Sequence, residues 1–243
     1  MGEELKENSY RNILKRISTF GCVQLFNILV TLVRGKFVAM FLGPEGMGIS
    51  SLYTSATGTL QQISGLGLNV AFVKETASAK ENAGELPHVL AACIRLIVFT
   101  SLLGGLASIL LSPLLSLWTF GTADYTVGFM LLSLSVSLSV AGVGYLSLLQ
   151  GLGEVKRLAK ASLVGGLSGL CCGVPLYYFF GYDGIVPGII ISSVTSFLFY
   201  YISFRRSVGV RPSSFLWSEH KPLVRRLLAT GIVLMIGSVA GSL

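Results

Sequence analysis

The chain has 243 residues, and its composition excludes an ordinary soluble domain, because 52% of the residues are hydrophobic, only 12% are charged and the mean hydropathy is +0.75. The net charge of +7 would suit nucleic acid, but that partner needs a basic face on a soluble fold, so we expect no nucleic-acid partner. The four cysteines lie in apolar runs without a CxxC pair, so we expect no metal and no cofactor. The composition predicts an integral membrane protein.

A membrane-crossing helix needs about 20 apolar residues, and on this measure the sequence predicts an all-α, polytopic membrane protein with six spans and the start of a seventh. Residues 1–17 are polar and precede the first span. The predicted spans are, in chain order, residues 18–42, 47–72, 89–111, 127–149, 162–180, 185–204 and 227–243. The fourth contains the alternating run LLSLSVSLSV, which imitates a strand. An isolated strand cannot satisfy its backbone in lipid, so we predict a helix there.

The lysine and arginine residues alternate between the two sides of the predicted membrane. Of 18 such residues, 15 lie in the N-terminal tail and in the connections after the second, fourth and sixth spans, whereas the other connections contain none. Positive charge is retained on the cytoplasmic side, so we predict a cytoplasmic N-terminus. Glu45, Asp124 and Asp183 then lie in outside turns, where ordinary turn chemistry is a sufficient explanation for them.

The first span carries a polar stripe. Its members are spaced by three and four residues, on one helix face about 80° wide: Gln24, Asn27, Thr31 and Arg34. An arginine near the bilayer centre costs about 2.5–3.5 kcal/mol and usually faces a protein interior or a substrate path. We therefore predict that this stripe lines a cavity for an anionic cargo, since the guanidinium of Arg34 can hold phosphate oxygens at two points. Lys36 lies about 200° round the helix, on another face.

The second span repeats this design with a stripe of small and polar residues, namely Ser51, Ser55, Gly58, Gln62, Gly65 and Asn69. For the small residues, close helix packing with interhelical hydrogen bonds is the simpler interpretation. For Gln62 and Asn69, which carry larger amides, the lining of a water-filled cavity is an equal alternative. Arg95 in the third span has apolar neighbours at helical spacing. It reaches the cytoplasmic interface, lines the cavity or pairs two helices, and the sequence leaves these alternatives open.

Three segments carry a family resemblance: VRGKFVAMFLGPEGMGISS across the first hairpin, LLQGLGEVKRLAKASLVGGLSG across the fourth-to-fifth connection, and YDGIVPGIIISS at the start of the sixth span. In these segments the chain resembles the oligosaccharide-lipid flippases of the multidrug/oligosaccharidyl-lipid/polysaccharide exporter superfamily. It is most similar to the O-antigen and enterobacterial-common-antigen repeat-unit translocases. The resemblance covers nearly the whole chain after the polar N-terminal residues.

The resemblance implies a bundle of roughly twelve helices in two pseudo-symmetric lobes around a central cavity, working by alternating access. It implies as cargo an anionic, undecaprenyl-pyrophosphate-linked oligosaccharide. This lipid is moved from the cytoplasmic to the periplasmic leaflet of the bacterial inner membrane, for surface polysaccharides such as lipopolysaccharide O-antigen. Membrane lipids and other polysaccharide-assembly proteins are the implied partners, and Arg34 and Arg95 match the cationic cavity of such flippases.

The resemblance also divides the chain. Residues 18–204 form an N-terminal lobe, residues 205–226 a basic cytoplasmic loop between lobes, and residues 227–243 the first helix of a second lobe. The sequence stops within that helix, so we expect a fragment or a truncated reading frame.

Three alternatives to the flippase remain. A cation-coupled multidrug exporter of the same superfamily is disfavoured, because no predicted span contains Asp or Glu to bind the coupling ion. A membrane enzyme is disfavoured, because no outside loop gathers catalytic acids or bases. The third alternative is a nonfunctional, truncated half-transporter.

Overall fold

The structure, a computed structural model, describes residues 2–81 and 84–208 together with Leu227 and Gly231. This part of the chain is helical and contains no strand. Its elements are α1 (Gly2–Gly65), α2 (Leu68–Glu81), α3 (Leu86–Phe120), α4 (Thr126–Gly151), α5 (Val155–Phe180), a short 3-10 turn (Gly181–Gly184) and α6 (Ile185–Ser207). The predicted all-α class is confirmed, and the alternating LLSLSVSLSV run lies in helix α4.

Helix α1 is two helices joined by a break at Gly43, and we refer to residues 2–42 as its first half and residues 44–65 as its second half. Gly43 has a φ of 70° and a ψ of −171°, a backbone conformation that favours glycine. The proline that follows suits the first turn of a helix, because its φ is fixed and it has no N–H to leave unpaired. A Cβ on Gly46 would meet the side chains of Leu42 and Tyr182. The GPEG segment is thus a tight connection with one non-helical residue.

Aromatic contacts place several connections at one end of the molecule. The ring of Tyr53 in α1 lies 5.1 Å from the Phe120 ring and 6.3 Å from the Tyr125 ring, both beside the connection between α3 and α4. Gly46 lies against Tyr182 in the 3-10 turn. The break within α1, the α3–α4 connection and the 3-10 turn therefore share this end.

The opposite end gathers other connections. Lys80 Nζ of α2 donates to the Leu152 carbonyl between α4 and α5 over 2.6 Å. Arg157 Nη1 at the start of α5 donates to the Arg206 carbonyl at the end of α6, also over 2.6 Å. The lysines and arginines on the parts of α2, α5 and α6 nearest this end are Lys74, Lys80, Lys156, Arg157, Lys160, Arg205 and Arg206. All of these cations lie on helices. The connection between α4 and α5 is only residues 152–154, so Lys156, Arg157 and Lys160, which were predicted in that connection, belong to α5.

The second predicted span, 47–72, differs from the structure because the helix is interrupted within it. Leu66 and Gly67 have positive φ angles of 48° and 62°, and α2 begins after them. The predicted connection between the second and third spans, with its two lysines, is therefore largely helix α2.

The third predicted span, 89–111, is longer in the structure and continues through Pro113 to Phe120. The residues after the proline are apolar, and a long membrane helix tolerates the loss of one backbone hydrogen bond. Helix α3 ends at Gly121, where φ is 73° and the N–H donates to the Leu117 carbonyl over 3.0 Å. The outside connection is therefore shorter than predicted.

Among the described residues, four helical stretches are long and apolar enough to cross a membrane: Gln24–Gly65, Leu86–Phe120, Thr126–Gly151 and Val155–Ser207. The first and the last are 42 and 53 residues long, about twice the length that one crossing needs. They are interrupted at Gly43 and at the 3-10 turn. The count of six spans requires two crossings in each of these stretches, and it stays a prediction. Residues 209–226 of the predicted basic loop, and the predicted seventh span apart from Leu227 and Gly231, lie outside the described residues.

Serine hydroxyls join α4 to its neighbours. Ser101 on α3 and Ser137 on α4 exchange hydrogen bonds, each hydroxyl donating to the carbonyl of the other over 2.8 and 3.0 Å. Ser135 and Ser139 lie 2.6 and 3.2 Å from the hydroxyl of Ser193 on α6. The alternating serines of the sequence thus serve two different helices, and small polar residues of this kind are a usual means of packing helices in lipid.

Candidate functional site

The polar stripe on the first half of α1 lies along α5. Asn27 Nδ2 donates to Ser162 Oγ over 3.0 Å, and Arg34 Nη2 donates to the Tyr177 hydroxyl over 2.8 Å. The side chains of Asn27 and Arg34 are both half-buried. Two of the four stripe residues are therefore fixed by partners on a neighbouring helix.

Tyr177 holds the guanidinium of Arg34 in place. The Tyr177 side chain is 1% exposed and belongs to an apolar cluster with Val38 and Ile189. Its ring packs against Gly188 on α6, where an added Cβ would lie 2.9 Å from a ring carbon. Because the ring is buried in this cluster, its hydroxyl has a defined position and orients Arg34. A guanidinium carries five N–H donors, and this bond uses one of them.

Gln24 and Thr31 form the exposed part of the stripe. Thr31 Oγ1 donates to the Asn27 carbonyl one turn earlier over 2.9 Å, so its hydroxyl is satisfied within its own helix. Lys36 is exposed whereas Arg34 is half-buried, and the two cations therefore lie on different faces of α1.

A cavity of about 560 Å³ lies beside the second half of α1. Gln62 and Asn69 both line it, and Val140 and Val143 of α4 contribute an apolar wall. The remaining lining residues are Ser55, Gly58, Thr59, Gln61 and Gly65. Five of the six residues of the second stripe thus share one cavity, where three amides lie opposite valine side chains.

The residues predicted for the site fall into three places. Arg34 lies at the contact between α1 and α5, outside the lining of the cavity. Arg95 lies on an exposed part of α3, also outside that lining. Within the described residues, the structure brings Gln62 and Asn69 together but places neither arginine with them. The described residues also contain no group of three side chains that could hold a metal ion.

The sequence did not predict Tyr177, Ser162 or Gln61 as parts of these regions. No local pattern pairs Tyr177 with an arginine 143 positions earlier, because that contact depends on which helices become neighbours. Gln61 did carry a signal, since an amide within a membrane helix needs a partner or water. Its place next to Gln62 put it outside the three-and-four spacing of the stripe.

Together these features define a multi-pass α-helical membrane protein with a half-buried arginine and a polar cavity on its first long helix. The chain belongs to the polysaccharide biosynthesis protein family, whose model matches residues 13–243. The resemblance inferred from the sequence segments is thereby confirmed.

Two curated relatives are Lipid III flippases, one from Escherichia coli (strain K12) and one from Shigella flexneri. Each is 27% identical to this chain over 166 residues, which cover 68% of the chain and 40% of the relative. The matched part of the chain thus spans less than half the length of these relatives. No solved structure matches the chain.

Proposed function

We propose that the protein forms part of a transporter that translocates a lipid-linked oligosaccharide across the bacterial inner membrane. The cargo is an undecaprenyl-pyrophosphate-linked repeat unit, which moves from the cytoplasmic to the periplasmic leaflet for assembly of a surface polysaccharide of the O-antigen type. The family and the two flippase relatives support this class of cargo. The observation that carries the proposal is Arg34, a half-buried cation within a membrane helix that Tyr177 holds in one orientation.

Arg34 is suited to the pyrophosphate of the cargo. The bond to Tyr177 leaves donors on a planar fork that can present two parallel N–H groups to phosphate oxygens. A charge at the bilayer centre costs about 2.5–3.5 kcal/mol, and an anionic cargo offsets part of that cost when it binds. When the path opens to the other side, water hydrates both ions and the cargo leaves.

The cavity beside Gln62 and Asn69 is suited to the sugars of the cargo. An amide carries two N–H donors and one carbonyl acceptor, which match the mixed donors and acceptors of sugar hydroxyls. A volume of about 560 Å³ is also that of an ordinary ligand site. A second lobe supplies the opposite wall, and rocking of the two lobes opens the path to either side in turn.

The proposed topology has six crossings in residues 18–204 and a cytoplasmic tail in residues 1–17. Residues 205–226 form a basic cytoplasmic loop, and residues 227–243 begin the second lobe. The cations gathered where α5 begins and α6 ends support this orientation, because positive charge is retained in the cytoplasm. Other polysaccharide-assembly proteins, which supply and receive the cargo, are the expected partners.

Genetic complementation tests the proposal. The complete gene is expressed in strains that each lack one lipid-linked oligosaccharide flippase, and surface polysaccharide is measured by gel electrophoresis. We expect restored polysaccharide in at least one strain. The matched control is Arg34→Ala, which should reach the membrane at the wild-type level without restoring polysaccharide. Absence of restoration in every strain despite normal membrane insertion contradicts the proposed cargo, and full restoration by Arg34→Ala contradicts the role of the arginine.

A further inference from the structure

A second pocket lies on the seam between α5 and α6, apart from the two regions described above. Its volume is about 440 Å³, and it sits at the end of the molecule where α5 begins and α6 ends. Arg157 and Lys160 line it from α5, and Arg206 lines it from α6. The proposed transport path uses none of these three cations.

The deeper part of this pocket is apolar. Val164 lies one helical turn beyond Lys160 on α5, and Phe199 and Ile202 line the facing side of α6. Phe199 precedes Arg206 by seven residues, which corresponds to about 10 Å along a helix. The pocket is therefore cationic at the ends of the two helices and apolar toward their middle, as a site for a charged headgroup with a hydrocarbon chain requires.

The described residues offset little of this charge. Arg157 Nε lies 3.7 Å from a Glu154 carboxylate oxygen. Among the described residues, no other ion pair involves Arg157, Lys160 or Arg206. Arg157 also donates to the Arg206 carbonyl, which fixes its guanidinium on the seam. Residues 209–226 follow in the sequence with four lysines and arginines against one glutamate, so this segment adds positive charge.

We propose that this pocket binds the phosphate of an anionic phospholipid from the surrounding bilayer, with one acyl chain lying along the seam between α5 and α6. Basic pockets between membrane helices recognise anionic headgroups through this combination of charge and depth. A zwitterionic lipid brings no net charge and offsets the three cations less well. The bound lipid bridges the start of α5 and the end of α6, a structural contribution that is separate from transport.

Native mass spectrometry of the full-length protein in a non-ionic detergent tests this site, with phosphatidylglycerol as the probe and phosphatidylcholine as the zwitterionic comparison. The variant is Lys160→Gln with Arg206→Gln. The matched control is Lys156→Gln with Arg205→Gln, which removes the same charge from the same two helices outside the pocket. Each cation near an anionic lipid contributes about fivefold in affinity, so the pocket variant should bind phosphatidylglycerol about 25-fold more weakly. The control should change affinity by less than about threefold.

Three results would overturn the proposal. The first is an equal loss of phosphatidylglycerol affinity in the two double variants, and the second is equal binding of the two phospholipids by the wild type. The third is displacement of phosphatidylglycerol by undecaprenyl pyrophosphate at a lower concentration than phosphatidylglycerol itself needs to bind. The last result would assign the pocket to the transported lipid. Substitution of the Arg206 side chain keeps the carbonyl that Arg157 contacts. If the variant Lys160→Gln with Arg206→Gln does not elute as the wild type does, Lys160→Gln is measured alone, and its affinity for phosphatidylglycerol should fall about fivefold. Normal complementation by either variant leaves the transport proposal intact.

Discussion

The change Tyr177→Phe removes a single hydroxyl group, and we expect it to slow transport because it releases Arg34. The ring of Tyr177 is 1% exposed and packs in an apolar cluster, so phenylalanine keeps the packing and loses only the 2.8 Å bond to the guanidinium. Without that bond, Arg34 would sample more orientations and present its fork to the proposed pyrophosphate cargo less often. The expected result is a lower rate in a protein that still folds and inserts.

The size of the effect follows from the kind of hydrogen bond that is lost. Hydrogen bonds between membrane helices contribute about 0.6 kcal/mol on average and about 1.7 kcal/mol at most. The charged donor places this bond in the upper part of that range, at about 1–1.5 kcal/mol, which corresponds to a loss of about 5- to 12-fold in rate. Arg34→Ala would remove the two proposed charge-assisted contacts to phosphate, and at about 1.5 kcal/mol each these predict a loss of about 150-fold.

The assay is the initial rate of translocation of a fluorescent lipid-linked oligosaccharide in proteoliposomes that contain the full-length protein. The double variant that combines Tyr177→Phe with Arg34→Ala should be as slow as Arg34→Ala alone, because the tyrosine acts through the arginine. Lys36→Ala serves as the matched cation control on the exposed face of the same helix and should stay within about twofold of the wild type. Independent, multiplicative losses from Tyr177→Phe and Arg34→Ala would refute the positioning role, and an equal loss in Lys36→Ala would refute the assignment of the two faces.

Three further predictions concern packing, topology and the cavity. Gly184→Ala should lower the free energy of unfolding by about 1–3 kcal/mol, because its Cβ would meet a backbone carbonyl of α5, whereas Gly48→Ala has open space and should be near neutral. Thermal unfolding in detergent measures both, and equal midpoints contradict the packing. A cysteine at Thr122 should react with a membrane-impermeant thiol reagent from the periplasm and one at Ser207 only from the cytoplasm, and the reverse pattern inverts the proposed topology. Asn69→Leu should insert normally yet reduce surface polysaccharide severalfold in complementation, and wild-type polysaccharide levels argue against a sugar contact in the cavity.

The helices were readable from the sequence because each depends on local information. Apolar runs of membrane length predicted the helical segments. The need to satisfy the backbone within lipid predicted a helix rather than a strand for the LLSLSVSLSV run, and the run lies in α4. The ends of the helices were harder to predict. Helix α3 continues through Pro113 to Phe120, and α1 ends at Gly65 because Leu66 adopts a positive φ that a leucine rarely takes. Neither of these two helix ends follows from residue preferences.

The contacts of the candidate site were less readable, because they depend on which helices become neighbours. The spacing that joined Asn27 and Arg34 on one face is a local property, and the structure indeed turns both toward α5. The identity of their partners, Ser162 and Tyr177, follows from the placement of α5 beside the first half of α1, which no spacing within either helix encodes. The separation of Arg34 from the amide-lined cavity has the same origin.

The kind of polar side chain carries more information about such a site than the presence of a polar stripe. A hydroxyl in a membrane helix can be satisfied without a neighbour, as Thr31, Thr100 and Ser108 show by donating to the carbonyl four residues earlier. An amide has more donors and acceptors than its own helix can satisfy. It therefore needs another helix, as Asn27 does, or a cavity, as Gln62 does. In a sequence of this composition, amides and arginines within the spans are therefore the residues to test first for contact with the proposed cargo, ahead of the more numerous serines and threonines.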